Sequence, residues 1–403
     1  MADIANQWLT TSLVGLLLAL AAIPAAAASS PEEAALLAGL ERYEAVRADG
    51  GWPDIPAGPT LEAGMDDSRV PVLARRLHVT GDLAGASGEW PDDKYGGALI
   101  EAVLRFQLRH GLAQDAKVGP KTRRALNVPV DERVRQLRHN LERGRGFAPV
   151  GPGLVVVVNI PAFRADVLQD GTLAWSTRVI VGDAETPTPE LQALITEIIL
   201  NPTWSVPVKI AAGEMLPEIK RDRGFLDRGG YVLYAADGPA VEAETVPWES
   251  LSYGNFPYRI VQRPGPANQL GRVKFVFPNA YSVYLHDTPA KHLFERSVRA
   301  LSHGCIRMRE PMVLAQMILA GQGHSPDAIR ELLAKASTRS ITLAPPVPIH
   351  VRYQTAEAGT DGTLFFYEDI YGLDAGPTGP RQSDPAGGGN AFSPVLQSSC
   401  AAS

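Results

Sequence analysis

Hydrophobic spacing along the chain follows two regimes. From Pro31 to Val46 the residues are rich in alanine, leucine and glutamate, which favours a helix, and "GGWPDIPAGP" shortly afterwards breaks it with glycine and proline. In "GGALIEAVLRFQLRHGL" Leu99, Val103 and Phe106 recur at helical spacing, and Gly111 stands where a C-terminal cap belongs. Another helix is predicted to open at Pro120, with Thr122, Ala125 and Leu126 inward, and a third from Asp131, with Val134, Leu137 and Leu141 on one stripe. After "GFAPVGPG" the period shortens. "LVVVVNI", Leu154 to Ile160, is dominated by valine, and Asp170-Gly171 between two strand-like arms predicts a hairpin. Strands are also predicted at Ile195 to Leu200, Lys274 to Phe277, Tyr281 to Leu285, Ile341 to Leu343 and Ile349 to Tyr353. Two late helices open at Pro311 and at Ser325-Pro326. Residues 205–250, rich in proline, glycine and acidic groups, read as a long insertion between strands, the form many lids take. The fold class expected is α+β, a small helical unit followed by a mainly-β domain.

Composition narrows this only a little. The 403 residues allow two or three domains, and an apolar fraction of 45% can build a core without metal or disulfide staples. The net charge of -6, with no long run of lysine or arginine, supplies no phosphate-tracking groove, so no nucleic-acid partner is expected. An apolar stretch from Leu13 to Ile23, then Ala26 and Ala28 in an A-x-A pattern, predicts an export signal over residues 1–28 and a place in the periplasm or cell envelope. The segment before it carries Asp3 and no lysine or arginine; the alternative is an uncleaved anchor, which would be the chain's only membrane contact, although the run is short against a span of about 20 residues. In an oxidising compartment the only disulfide partner for Cys305 is Cys400, in a Gly/Pro/Ser-rich tail where a bridge would staple little. The terminal "CAAS" matches a prenylation box by coincidence, since an exported chain does not meet that machinery.

The chemistry concentrates in "YSVYLHDTP" and "ALSHGCIRM". If Tyr281, Val283 and Leu285 alternate with Ser282, Tyr284 and His286 along a strand, His286 falls at its end, where Asp287-Thr288-Pro289 turns the chain. Cys305 follows after a short helical stretch around Leu293 and Phe294. A thiol of pKa about 8.5 needs a base or a positive field to act as a nucleophile, and His286, His303 and Arg307 are candidates to supply one. Gly304 allows backbone amides close to a reacting carbonyl. In an extended segment His303 and Cys305 would point the same way, so His303 is read as orienting substrate or tuning the thiol. Two other readings stand beside the nucleophile: a zinc site of His286, His303 and Cys305, and a small buried hydrophobe. The sequence contains no H-E-x-x-H and no C-x-x-C.

"YLHDTP" followed by "RALSHGCIR" resembles the catalytic motif of the L,D-transpeptidase (YkuD) family, and "VIVGDAETPTPEL", "NPTWSVP", "QRPGPANQLGRVKFVFPN" and "FFYEDIYGLD" are similar to segments of its long envelope branch. "AVLRFQLRHGL" and "VGPKTRRALNV" resemble that branch's peptidoglycan-binding helices. The resemblance implies a scaffold segment at 29–66, a peptidoglycan-binding-like helical domain at 67–128, a helical linker at 129–152, a catalytic domain at 153–346 that contains the 205–250 insertion, and C-terminal strands at 347–375; the low-complexity tail at 376–403 has no counterpart in the family and is expected to be disordered. It further implies Cys305 as acyl-accepting nucleophile and His286 as general base. Ser302, His303, Gly304, Arg307 and Tyr284 would shape the site, and the Asp287 carbonyl would hold the imidazole. The implied reaction takes a tetrapeptide stem of peptidoglycan, releases D-Ala and passes the acyl group to an amine of a neighbouring stem, without a cofactor or metal. Carbapenem-type β-lactams would acylate the same sulfur. A cell-wall carboxypeptidase with water as acceptor and a peptidoglycan-binding protein without catalysis are the alternatives. Replacing Cys400 is expected to change neither turnover nor adduct formation.

Overall fold

The computed structural model describes residues 30–85, 93–147, 151–359 and 361–374. The expected export signal at 1–28 and tail at 376–403 lie outside the described residues. Helix α1 (Pro31–Ala48) begins at Ser30, whose hydroxyl accepts the Glu33 amide at 3.1 Å, with proline at its start and two glutamates in the first turn. Helices α2 (Val70–Val79), α3 (Ala98–Arg109) and α4 (Pro120–Leu126) enclose a core of Leu73, Leu77, Leu99, Val103, Phe106 and Leu126. The hydrophobic spacing did not predict α2, because its inner stripe includes Arg76. That guanidinium is 1% exposed, donates to the Leu126 carbonyl at 2.7 Å and lies 3.9 Å over the Trp52 ring. Helix α5 (Val130–Gly144) buries the predicted stripe of Val134, Leu137 and Leu141 against α1.

Strands β1 (Leu154–Asn159) and β2 (Arg164–Gln169) pair antiparallel, and β2 turns through Asp170-Gly171 into β3 (Thr172–Gly182). Both turn residues have positive φ, 51° and 78°, as the predicted hairpin requires. With β4 (Leu191–Leu200), β9 (Val273–Val276), β10 (Leu285–His286), β12 (Ile306–Met308) and β13 (Arg339–Arg352) they close into a barrel, because β3 pairs with β2 on one side and β12 on the other. Strand β11 (Ala300–Ser302) joins β3 in parallel. Barrel closure leaves few edges and packs Val156, Val158, Ile198, Phe275, Leu285, Ile306 and Met308 inside. Helices α9 (Pro311–Gly321) and α10 (Pro326–Ala334) cover it, each opened by proline, α10 also capped by Ser325.

Between β4 and β9 the chain builds a unit with its own core. Strands β5 (Trp204–Ser205), β8 (Tyr258–Gln262), β6 (Tyr231–Ala235) and β7 (Ala240–Val241) form a four-stranded sheet in that order. On it lie α6 (Val208–Ile210), a π-helical turn (Ala211–Met215), α7 (Leu216–Arg221) and α8 (Phe225–Arg228), around Met215, Leu216, Ile219, Leu233, Trp248 and Ile260. The insertion read as a loop is thus a folded subdomain, whose turns and short elements gave no long periodic signal. Strands β14 (Ala356–Ala358) and β15 (Leu364–Phe366) form a hairpin that packs on α1 and α5.

Three expected strands differ. Ile341 to Leu343 and Ile349 to Arg352 belong to the single strand β13, which ends one residue before the expected Tyr353 and has an irregularity between Thr342 and Val347. Tyr281 to Leu285 is not a strand: only Leu285 and His286 pair, and Ser282 has φ 54°. The Asn279 side chain imposes the turn, accepting the amides of Tyr281 and Val283 at 3.0 and 3.1 Å and donating to the Val283 carbonyl at 2.8 Å.

Candidate active site

Cys305 and His286 meet through the short strands β10 and β12. The parallel register places Leu285 beside Ile306 and His286 beside Arg307, so Tyr284, His286, Cys305 and Arg307 share one face while Leu285 and Ile306 fill the core. On the other side of β10, Lys274 of β9 stands opposite His286, and its ammonium lies 3.9 Å over the Tyr284 ring. His286 therefore has a cation on each neighbouring strand.

The imidazole is buried, and its Nδ1 lies 2.5 Å from the Asp287 carbonyl oxygen. A carbonyl only accepts, so Nδ1 carries the proton and Nε2 keeps its lone pair. Burial, with the charge of Arg307 next, pushes the imidazole pKa down to about 3; Lys274 and Lys291 add to this, and the Asp287 bond opposes it. The ring is neutral at physiological pH. Asp287 is fixed in turn: its carboxylate accepts the amides of Thr288 and Arg272 at 2.7 and 2.9 Å and the Lys291 ammonium at 2.6 Å. It lies against Gly271, which has φ 59°, and an added methyl there would overlap the Asp287 carboxyl.

The Ser302 to Cys305 turn is held from inside and outside. The Ser302 hydroxyl donates to the Cys305 carbonyl at 2.5 Å and accepts the Gly304 amide at 3.2 Å. Gly304 has φ 104°, which a side chain would strain. The loop of residues 183–190 cradles the turn. The Asp183 amide donates to the Ser302 carbonyl at 2.9 Å, and Thr188 links the Gly182 amide to the Gly304 carbonyl at 2.8 and 2.7 Å. Tyr371 anchors that loop through the Gly182 carbonyl at 2.6 Å. The amides of Gly304 and Ile306 are engaged by Ser302 and by the Tyr284 carbonyl, the latter at 3.0 Å.

The structure adds to the sequence reading of two site residues. His303, read as orienting substrate or tuning the thiol, has its Nε2 2.8 Å from a Glu214 carboxylate oxygen on the π-helical turn of the inserted subdomain. Arg307 disfavours a proton on His286 as well as favouring negative charge nearby. The other cysteine of the sequence, Cys400, lies outside the described residues. Among the described residues no group of three or more His, Cys, Asp or Glu is placed to hold a metal. Reading the residues one by one missed Lys274, Asp183, Thr188, Glu214 and Tyr371. All but Glu214 lie in segments the family resemblance had marked, without a role for any single residue.

Tyr284 is buried, and desolvation raises its phenol pKa, so it stays protonated and able to donate. A buried neutral imidazole, a sulfur, a phenol and two cations on one face form the constellation of nucleophilic acyl transfer.

Comparison with known proteins gives two family matches. Residues 153–330 match the model described as "L,D-transpeptidase catalytic domain", and residues 67–126 the one described as "Putative peptidoglycan binding domain". A curated protein of Haemophilus influenzae named "Putative L,D-transpeptidase" is 33% identical over 219 residues, 54% of this chain and 44% of that protein. The chain thus spans less than half the length of that relative. Among solved structures, an L,D-transpeptidase of Stackebrandtia nassauensis is 14% identical, with TM-score 0.27, over 73% of this chain and 97% of that one. One of Mycobacterium smegmatis is 14% identical, with TM-score 0.24, over 50% of this chain and 59% of that one.

Proposed function

Because residues 153–330 belong to the L,D-transpeptidase catalytic-domain family, we propose that the chain cross-links peptidoglycan stems in the cell envelope through an acyl group carried on Cys305. The observation that carries this reading is the neutral imidazole of His286, its Nδ1 bound to the Asp287 carbonyl, on the same face as Cys305. The chemistry needs Cys305 as a thiol.

His286 Nε2 then takes the sulfhydryl proton, and the thiolate attacks the carbonyl of the third residue of a tetrapeptide stem. The Tyr284 hydroxyl and the Arg307 charge face the oxyanion that forms. Collapse breaks the peptide bond; the leaving D-Ala amine takes the proton from His286, and a thioester remains. The side-chain amine of a second stem attacks this thioester, gives its proton to His286 and expels the thiolate, leaving a 3→3 cross-link. Thioester formation keeps the energy of the broken amide, which suits a compartment without ATP. Water would divert the acyl group, and the inserted subdomain, which reaches the site through Glu214 and His303, serves as the cover. The helical domain at 67–126 would hold the enzyme on its polymer. Carbapenems would acylate the same sulfur.

The test incubates dithiol-reduced protein with disaccharide-tetrapeptides and reads the products by mass spectrometry. A dimer with release of D-Ala is expected, absent in Cys305→Ala and reduced by several orders of magnitude in His286→Ala. Tripeptide alone would make the protein a carboxypeptidase, and no product at all would leave a binding protein.

A further inference from the structure

Three adjacent strands bring three arginines into one row. Arg164 of β2 pairs with Arg178 of β3, and the amide of Arg309, just past β12, donates to the Arg178 carbonyl at 3.1 Å. Like charges placed directly opposite across strands destabilise a sheet. A fourth guanidinium joins them: Arg299 donates to the carbonyls of Val179, Arg296 and Phe163 at 3.1, 2.8 and 3.1 Å, and all three bonds go to main chain. With Phe163, Ser176 and Glu310, the four arginines line a cavity of about 340 Å³.

The carboxylates nearby do not match this charge. Asp166 and Glu357, each at 2.8 Å, neutralise Arg164. Arg178 and Arg309 share a single carboxylate, the exposed Glu295, at 3.1 and 3.2 Å. Glu310 accepts the Thr177 hydroxyl at 3.3 Å. Among the described residues, three guanidinium groups thus stand against Glu295 and Glu310. Burial, then the neighbouring charge of Arg178, lowers the pKa of Arg299 to about 10. Exposed pairs such as those of Glu295 contribute little, so an incoming anion displaces them readily.

The cavity is connected to the reaction centre by one segment of chain. Cys305, Arg307 and Arg309 alternate with the buried Ile306 and Met308, and so fall on one face. Four residues of extended chain put Arg309 about 13 Å from Cys305, the reach of an extended tetrapeptide. Guanidinium forks match carboxylates bidentately, which lysines do not. We infer that Arg178, Arg299 and Arg309 form a carboxylate-binding subsite that holds a stem peptide engaged at Cys305. The ligand's identity rests on the function proposed above; the anion chemistry does not.

The experiment uses the full chain with Cys305→Ala, so that binding is read without turnover. Calorimetry compares a disaccharide-tetrapeptide with the same compound after its carboxylates are converted to amides. The free acid is expected to bind at least tenfold tighter, and R178Q/R309Q, which alters two partly exposed side chains, is expected to cut that preference at least tenfold. R299Q should act in the same direction. Equal affinity for acid and amide, or a preference kept by R178Q/R309Q, overturns the inference. An arginine-dependent preference in a protein whose native sequence gives neither dimer nor tripeptide would sink the cross-linking reading and leave the subsite standing.

Discussion

Lys274 and Arg307 act on two groups at once. Each raises the cost of a proton on His286, and in the proposed reaction each would also stabilise negative charge on the oxyanion. Removing one cation lifts part of the penalty on the imidazolium. Lys274→Met should therefore raise the His286 pKa by about one unit, the size expected of a unit charge a few ångströms away at an effective dielectric constant of about 20. The basic form is then lost at a higher pH. The acid limb of carbapenem acylation, followed by intact mass across pH 3 to 7, should move upward; an unmoved limb would show that Lys274 does not act on the base. The chemical residue types were legible in the sequence: His286, Cys305 and Arg307 are rare groups in a tight motif. Lys274 was not, since it becomes a neighbour of His286 only through the register of β9 on β10.

Short elements set the site, and short elements leave little trace in a hydrophobic pattern. Strands β10 and β12 hold two and three residues, below the length at which alternation is informative, and the turn before β10 is imposed by the Asn279 side chain. The hairpin at Asp170-Gly171 was legible because glycine chemistry fixes a turn locally. Gly271 carries the same kind of information without an obvious pattern around it. Its left-handed backbone and its contact with Asp287 leave no room for a methyl, and Asp287 holds His286. Gly271→Ala should cost about 1 to 3 kcal/mol of stability through strain and displacement. It should also slow acylation, because the imidazole loses its anchor. Thermal melts and acylation rates on one preparation check both; a variant with unchanged acylation would show that the Asp287 carbonyl is dispensable.

At the scale of the whole molecule, the helical domain is tied to the C-terminal hairpin rather than only to its neighbour in sequence. Leu36, Tyr43, Val134, Leu137, Ala356, Leu364 and Phe366 form one core shared by α1, α5 and the β14–β15 hairpin. No periodicity predicts such a clamp, because its halves lie more than two hundred residues apart. His110, at the end of α3, is buried inside it, stacked 3.8 Å from Phe106 and 5.6 Å from Phe366, with Nδ1 at 2.8 Å from the Phe106 carbonyl. Burial, then Arg109 and Arg133, holds its pKa well below that of a free histidine. The folded state thus binds fewer protons than the unfolded chain below the unfolded value of about 6.5, and stability must rise with pH there. His286 adds a second such group, whose window runs from about 6.5 down to about 3. Stability contributed by keeping both rings neutral is present above pH 6.5 and lost as pH falls, at up to about 1.4 kcal/mol per unit and per group. His110→Gln removes one of the two protons. The pH dependence of the urea midpoint should be shallower in that variant between pH 6 and 4, and hydrogen exchange at low pH should protect α3 and β15 longer than in the parent. An equal slope would mean that His110 is protonated in the folded state, and that the clamp does not exclude charge as its packing implies.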